Sequence, residues 1–180
     1  DVRFLTNGST GRMGYCIAAA AVAAGHEAVL VSGPTELACP EGVERVDVLS
    51  ALEMQSAAEA RLADADVVFA VAAVADHRPV SRAPGKPPRG GPITVEVVPN
   101  PDIIAGLSER RREGQVLLGF ALEVDPGGPE AAAADPVAGL HRAAVRGRQK
   151  LARKGLDGIS VNLANALGAA RNQVLLLWSD

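Results

Sequence analysis

The chain is 180 residues long, with 48% hydrophobic residues, only 3% aromatic residues and a formal net charge of −3. That is enough for one domain with a sizeable core, which must pack aliphatic side chains. The acidic balance argues against a nucleic-acid binder, no apolar run reaches the ~20 residues that span a bilayer, and there is no secretory signal; Cys16 and Cys39 make neither a disulfide framework nor a metal site. The expected setting is cytoplasmic and reducing, with neither membrane nor nucleic acid as partner.

The opening Gly8-Ser9-Thr10-Gly11-Arg12-Met13-Gly14 leads into an alanine-rich run that favours helix over 17–24, with Gly25 as its stop. Glycines let the backbone approach a ligand, and a helix N-terminus offers free N–H groups and partial positive charge to an anion. The alternative is a plain turn with a Ser or Thr cap. Residues 28–31 and 43–48 read as strands. Ser50 and Glu53 have capping-box spacing and start a helix running to about Leu62.

Residues 67–74 form a continuous apolar run, expected to be a central parallel strand buried on both faces. Asp76 follows it, where a carboxylate is suited to ribose hydroxyls or a base amine; a turn or capping role is the alternative. Residues 76–92 hold five prolines and three glycines around Lys86 and read as one long, functional loop. Residues 93–98 alternate like a strand nearer an edge. Asn100 is the expected N-cap of the next helix, with Pro101 in its first position.

Residues 116–121 are strand-like, and 126–136, rich in Pro, Gly and Ala, read as a loop. A helix follows over 141–154, closed by Gly155, and strands over 159–161 and 174–178 complete the chain. Arg142, Arg146, Lys150 and Lys154 stand four apart on one helix face, with no acid between His141 and Lys154. Like charges at this spacing repel, so a stripe without acidic partners suits a polyphosphate better than bare solvent. Strand–helix alternation of this kind makes an open, mostly parallel α/β sheet with helices on both faces. Ligands of such sheets sit outside the carboxyl ends of the strands. Taken alone, the residues lead to a domain that binds a nucleotide or another phosphorylated small molecule. They fix no reaction and no metal ligands.

Several stretches, in order, carry a resemblance. They are residues 2–7 with Ser9-Thr10-Gly11-Arg12-Met13-Gly14, Leu30-Val31-Ser32-Gly33-Pro34, and Ala72-Ala73-Val74-Ala75-Asp76 with Arg78-Pro79. Lys86 follows ten residues beyond Asp76, and then come Asn100-Pro101-Asp102-Ile103, Gly119-Phe120-Ala121, and residues 148–151 and 153–157. Together the chain resembles phosphopantothenate–cysteine ligase, the synthetase half of the bifunctional bacterial coenzyme A enzyme.

The resemblance implies a Rossmann-like fold over one domain, residues 1–180, in which a strand of the family ahead of Val2 is missing. It implies that CTP activates the carboxylate of 4′-phosphopantothenate as an acyl nucleotide with loss of pyrophosphate, and that the amine of L-cysteine then displaces the nucleoside monophosphate. ATP replaces CTP in the eukaryotic relatives that residues 119–126 are similar to. Mg²⁺, a homodimer, and fusion to or association with phosphopantothenoylcysteine decarboxylase are also implied. By motif match, Asn7 holds the acyl intermediate and Lys86 neutralises phosphate charge. Ala73, Asp76, Pro101, Asp102, Ile103, Ile104, Phe120, Lys150 and Lys154 bind the nucleotide. Ser9, Thr10, Gly11 and Met13 support the phosphopantothenoyl or acyl-nucleotide part.

Two rival readings are an NAD(P)-dependent oxidoreductase and a non-catalytic nucleotide-binding module. The first calls for a Gly-x-Gly-x-x-Gly turn and an acid ending the second strand. Here the second strand runs into Ser32-Gly33-Pro34.

Overall fold

The computed structural model describes residues 6–81, 85, 90–92, 94–163 and 173–179. The elements run α1 (Arg12–Ala23), β1 (Ala28–Ser32), β2 (Val43–Asp47), α2 (Ala51–Leu62), β3 (Val67–Ala70), β4 (His77–Pro79), β5 (Val97–Pro99), α3 (Ile103–Arg110), β6 (Val116–Glu123), α4 (Gly128–Ala134), α5 (Pro136–Lys154), β7 (Gly158–Leu163) and β8 (Leu175–Trp178). The fold is α/β with mostly parallel strands.

Among the described residues the strands form three sheets. The largest has the order β3-β6-β7-β8, with β1-β2 and β4-β5 as pairs. β3, β6 and β7 are parallel, and β8 closes the edge antiparallel to β7. Crossovers by α3 and α5 deliver the parallel strands, as such sheets require. Leu117, Ala121, Val161 and Leu163 alternate toward α5 and form one core with Leu62, Ile104, Leu107, Leu140 and Leu151. Gly147 lets α5 lie close on β7: a Cβ there would stand 2.5 Å from Val161 Cγ2.

Ser50 Oγ accepts from the Glu53 amide at 3.2 Å, and Glu53 Oε2 accepts from the Leu49 amide at 2.7 Å, so the box closes one residue upstream of its usual partner. Gly155 ends α5 in the left-handed conformation, φ 61°.

Four expectations are corrected. The run 67–74 forms only the short β3, in which Val67 and Phe69 are 47% and 44% exposed; beyond Ala70 the Ala73 and Val74 carbonyls turn away to Asn7. The stretch expected as one long loop begins with β4, paired antiparallel to β5, and the Val80 amide reaching Glu96 O extends the ribbon. Residues 126–136 contain α4, because Pro and Gly are tolerated at a helix start and the alanines behind them favour helix. Asn100 does not cap α3. Asp102 does, accepting from the Ala105 amide.

Candidate functional site

The site builds outward from the segment that leaves β3. Asn7 Nδ2 donates to Ala73 O at 3.3 Å and to Val74 O at 3.2 Å. From the other side Asn100 Nδ2 donates to Ala75 O at 2.8 Å, and the Asn100 amide donates to Asp76 O at 2.8 Å. Four successive carbonyls are thus fixed by two asparagines, and Asp76 is left exposed beyond the end of β3. Arg78 Nη1 donates to Pro99 O and to Asn100 Oδ1, which ties the β4–β5 ribbon to the same point.

Asn100 leads through Pro101 into Asp102, whose carboxylate caps α3 and accepts from Lys154 Nζ at 3.0 Å. The structure therefore brings Asn7, Ala73, Asp76, Pro101, Asp102 and Lys154 into one connected relay. Ile103 and Ile104 open α3 behind it, and Ile104 belongs to the core.

The opening turn stands on the other flank. Gly11 precedes α1 with φ 73°, and no side chain caps the helix. The Ser or Thr cap of the alternative reading is absent; instead two local turns form, in which Ser9 Oγ accepts from the Gly11 amide and Thr10 Oγ1 from the Arg12 amide. Among the described residues the Met13 and Gly14 amides that follow are left for a ligand or water. Gly14 lies beside Val71, where an added Cβ would be 3.8 Å from Val71 Cβ, and Met13 is half-buried. Lys86 lies outside the described residues.

The basic stripe is corrected most. Its cations have acidic partners, supplied by other elements. Arg142 holds Asp125 with Nε and Nη2 at 2.8 and 2.6 Å, Lys150 Nζ is 2.5 Å from Glu123 Oε1, Arg146 Nη1 is 3.9 Å from Glu123 Oε2, and Lys154 meets Asp102. Phe120 alternates to the face of β6 away from α5, so the sheet separates it from Lys150 and Lys154.

Glu123 and Asp125 were missed from the sequence. Their signal was an acid at 123, in phase with the buried positions 117, 119 and 121. The Asp125 side chain is fully enclosed. The bidentate Arg142 and the Gly127 amide hold its carboxyl down at about 2 against a smaller opposing effect of burial. A depressed carboxyl stabilises the fold above its unfolded pKa, near 4, and that contribution is lost as pH falls through about 2. We expect Asp125→Asn to flatten the fall of the urea midpoint between about pH 4 and pH 2. An unchanged slope would show that the pair does not contribute to acid sensitivity.

Among the described residues no helix is long and apolar enough to cross a membrane, and no group of three or more His, Cys, Asp or Glu side chains stands ready for a metal.

Residues 1–180 match the family described as DNA/pantothenate metabolism flavoprotein C-terminal domain. The chain belongs to this family. Two relatives named coenzyme A biosynthesis bifunctional protein CoaBC are similar to it. That of Escherichia coli K12 is 35% identical over 187 residues, and that of Mycobacterium bovis is 37% identical over 193. Each match takes in 99% of this chain but only 42% and 43% of the relative, so the chain spans less than half the length of these proteins. The crystal structure of the C-terminal domain of a CoaBC protein superposes with TM-score 0.72 at 33% identity, covering 98% of this chain and 77% of that one. A second family structure, from Streptococcus pneumoniae, gives TM-score 0.73 at 21% identity over 99% of this chain and 86% of its own, a likeness of fold. The family match, the CoaBC relatives and the first of these structures agree with the resemblance read from the motifs.

Proposed function

We propose that this domain joins 4′-phosphopantothenate to L-cysteine in coenzyme A biosynthesis, at the expense of CTP. The substrate carboxylate attacks the α-phosphorus, the bond to pyrophosphate breaks, and the cysteine amine then attacks the acyl carbon and releases CMP. The observation that carries the reading is the relay from Asn7 through residues 73–76 and Asn100 to Asp102 and Lys154. It gathers motifs scattered over the chain at the carboxyl end of a parallel sheet, where ligands of such folds bind.

In this reading Asn7 faces the acyl nucleotide, Asp76 the nucleoside, and Lys150 and Lys154 the phosphates. Ser9, Thr10, Gly11 and Met13 border the acyl part. Mg²⁺ suits the donor set as a cation carried by the phosphates and water, since it is normally held through one or two carboxylates plus substrate phosphates. The exposed Val80, Val95 and Val97 of the β4–β5 ribbon suit a homodimer contact. The bifunctional relatives suit a decarboxylase partner in the same polypeptide or alongside it, in the cytoplasm.

The test is pyrophosphate release with 4′-phosphopantothenate, with CTP and ATP side by side, with and without cysteine. Release that needs phosphopantothenate and is faster with CTP is expected. Release independent of phosphopantothenate refutes the ligase, and equal or tighter ATP binding refutes the nucleotide preference. Lys150→Ala and Lys154→Ala should each weaken CTP about tenfold or more, a charged hydrogen bond being worth ~1.5–3 kcal/mol. Arg142→Ala should do less, because its guanidinium is committed to Asp125. Titration calorimetry reads all three, and full affinity in both lysine variants would make the stripe a solvated face.

A further inference from the structure

We propose that Glu123 is a positioning residue for this site: its buried carboxylate holds the Lys150 ammonium at the carboxyl edge of the sheet, so that phosphate oxygens meet a cation already in place. The inference rests on the nucleotide reading above. Glu123 is the last residue of β6 and continues the buried phase of Leu117 and Ala121 under α5. Its side chain is 6% exposed, whereas that of Lys150 is 36% exposed. The acid is anchored in a strand, and the lysine reaches it from a helix on a flexible stem.

The charges around it are uneven. Along the stripe Asp125 serves Arg142 and Asp102 serves Lys154, one to one, while Glu123 alone faces both Arg146 and Lys150. Four cations meet three carboxylates, and the positive charge left over resides on the Glu123 group. A phosphate arriving there finds an unneutralised cation.

The contact itself leaves room. Lys150 Nζ approaches Glu123 Oε1 closely but off the line of a hydrogen bond, so that oxygen, although buried, has no hydrogen-bond partner among the described residues. A lysine ammonium has three donors and no acceptor, and can serve a carboxylate and a phosphate together. Freed from Glu123, the long side chain would spread over its rotamers, and a ligand would have to immobilise it, which weakens binding roughly tenfold. Glu123 cannot retreat when the ligand binds, which separates anchoring from simple competition with the phosphates.

The experiment is titration of CTP into wild type, Glu123→Ala, Glu123→Asp, Glu123→Gln, Lys150→Ala and the Glu123→Ala/Lys150→Ala double variant, in the whole domain. Glu123→Ala and Lys150→Ala should each cost about tenfold, and the double variant should cost no more than either, because both remove one device. Glu123→Gln, which keeps the size of the side chain but removes the charge that draws Lys150, should cost about as much as Glu123→Ala. Glu123→Asp keeps the charge, so it preserves the fold if Glu123→Ala does not; it pulls the acceptor back one methylene and should weaken CTP several-fold. Losses that multiply to about a hundredfold in the double variant overturn the inference and leave the nucleotide reading standing. So does unchanged or tighter binding in Glu123→Asp and Glu123→Ala. Wild-type affinity in Lys150→Ala instead overturns the nucleotide reading at this lysine, and the inference with it.

Discussion

Lys86→Gln is expected to lose about 10²–10³ in turnover while keeping most of its CTP affinity, the usual cost of removing one preorganised charged donor. As pyrophosphate leaves, negative charge builds on the phosphate oxygens, and a lysine that meets it there acts more strongly in the transition state than in the bound ground state. Only such differential contacts speed the chemical step. Affinity survives because Lys150 and Lys154 remain on α5. Asn7→Asp should differ in kind: CTP still binds, but the acyl nucleotide forms or persists poorly, since a carboxylate replaces the amide donor. Single-turnover pyrophosphate release beside CTP titration separates the two. Near wild-type release in Lys86→Gln would make residues 80–96 a mere connection and remove the assigned role.

Gly147→Ala is expected to lower stability by about 1–2 kcal/mol, and Gly147→Val by ~3 kcal/mol or more. Two effects oppose each other. Alanine in a helix interior gains up to ~1 kcal/mol over glycine. Against it, the new Cβ would sit 2.5 Å from Val161 Cγ2 and 3.0 Å from Leu177 Cδ1, and overpacking of this kind typically costs ~1–3 kcal/mol. Val161 is itself fully buried and cannot yield outward. Valine adds two methyls to the same space and consumes a large share of the ~5–15 kcal/mol that holds a domain together. Urea midpoints decide it. A higher midpoint in Gly147→Ala would mean that helix propensity wins and that α5 is free to lift from β7.

What was legible in the sequence follows from the range of the interactions. The box at Ser50 and Glu53 and the stop at Gly155 are written within a few residues, and the structure keeps both. The β6 and β7 strands were legible because burial imposes apolar runs on parallel strands. Asn100 was misread because Asn before Pro is a good cap locally, whereas its amide is drawn 25 residues back to Ala75. Asp102 takes the cap it leaves. The stripe was misread for the same reason: Lys154 meets an acid 52 residues away, and no window along the helix contains it. Of the candidate site, the residues were found by motif. The carbonyls they grip were not, since backbone acceptors carry no side-chain signature.

The pairing of the stripe also bears on the order in which the chain is made. Residues 141–154 hold six cations and no acid, a polycation when unfolded. Synthesis runs from the amino end, and domains generally fold as units. Asp102, Glu123 and Asp125 therefore leave the ribosome before the first of those cations, and Arg142, Arg146, Lys150 and Lys154 emerge to find an acid that will face them already outside. A circular permutant that begins at Pro136 would reverse this sequence and deliver the polycation first, next to ribosomal RNA and with nothing of its own to neutralise it.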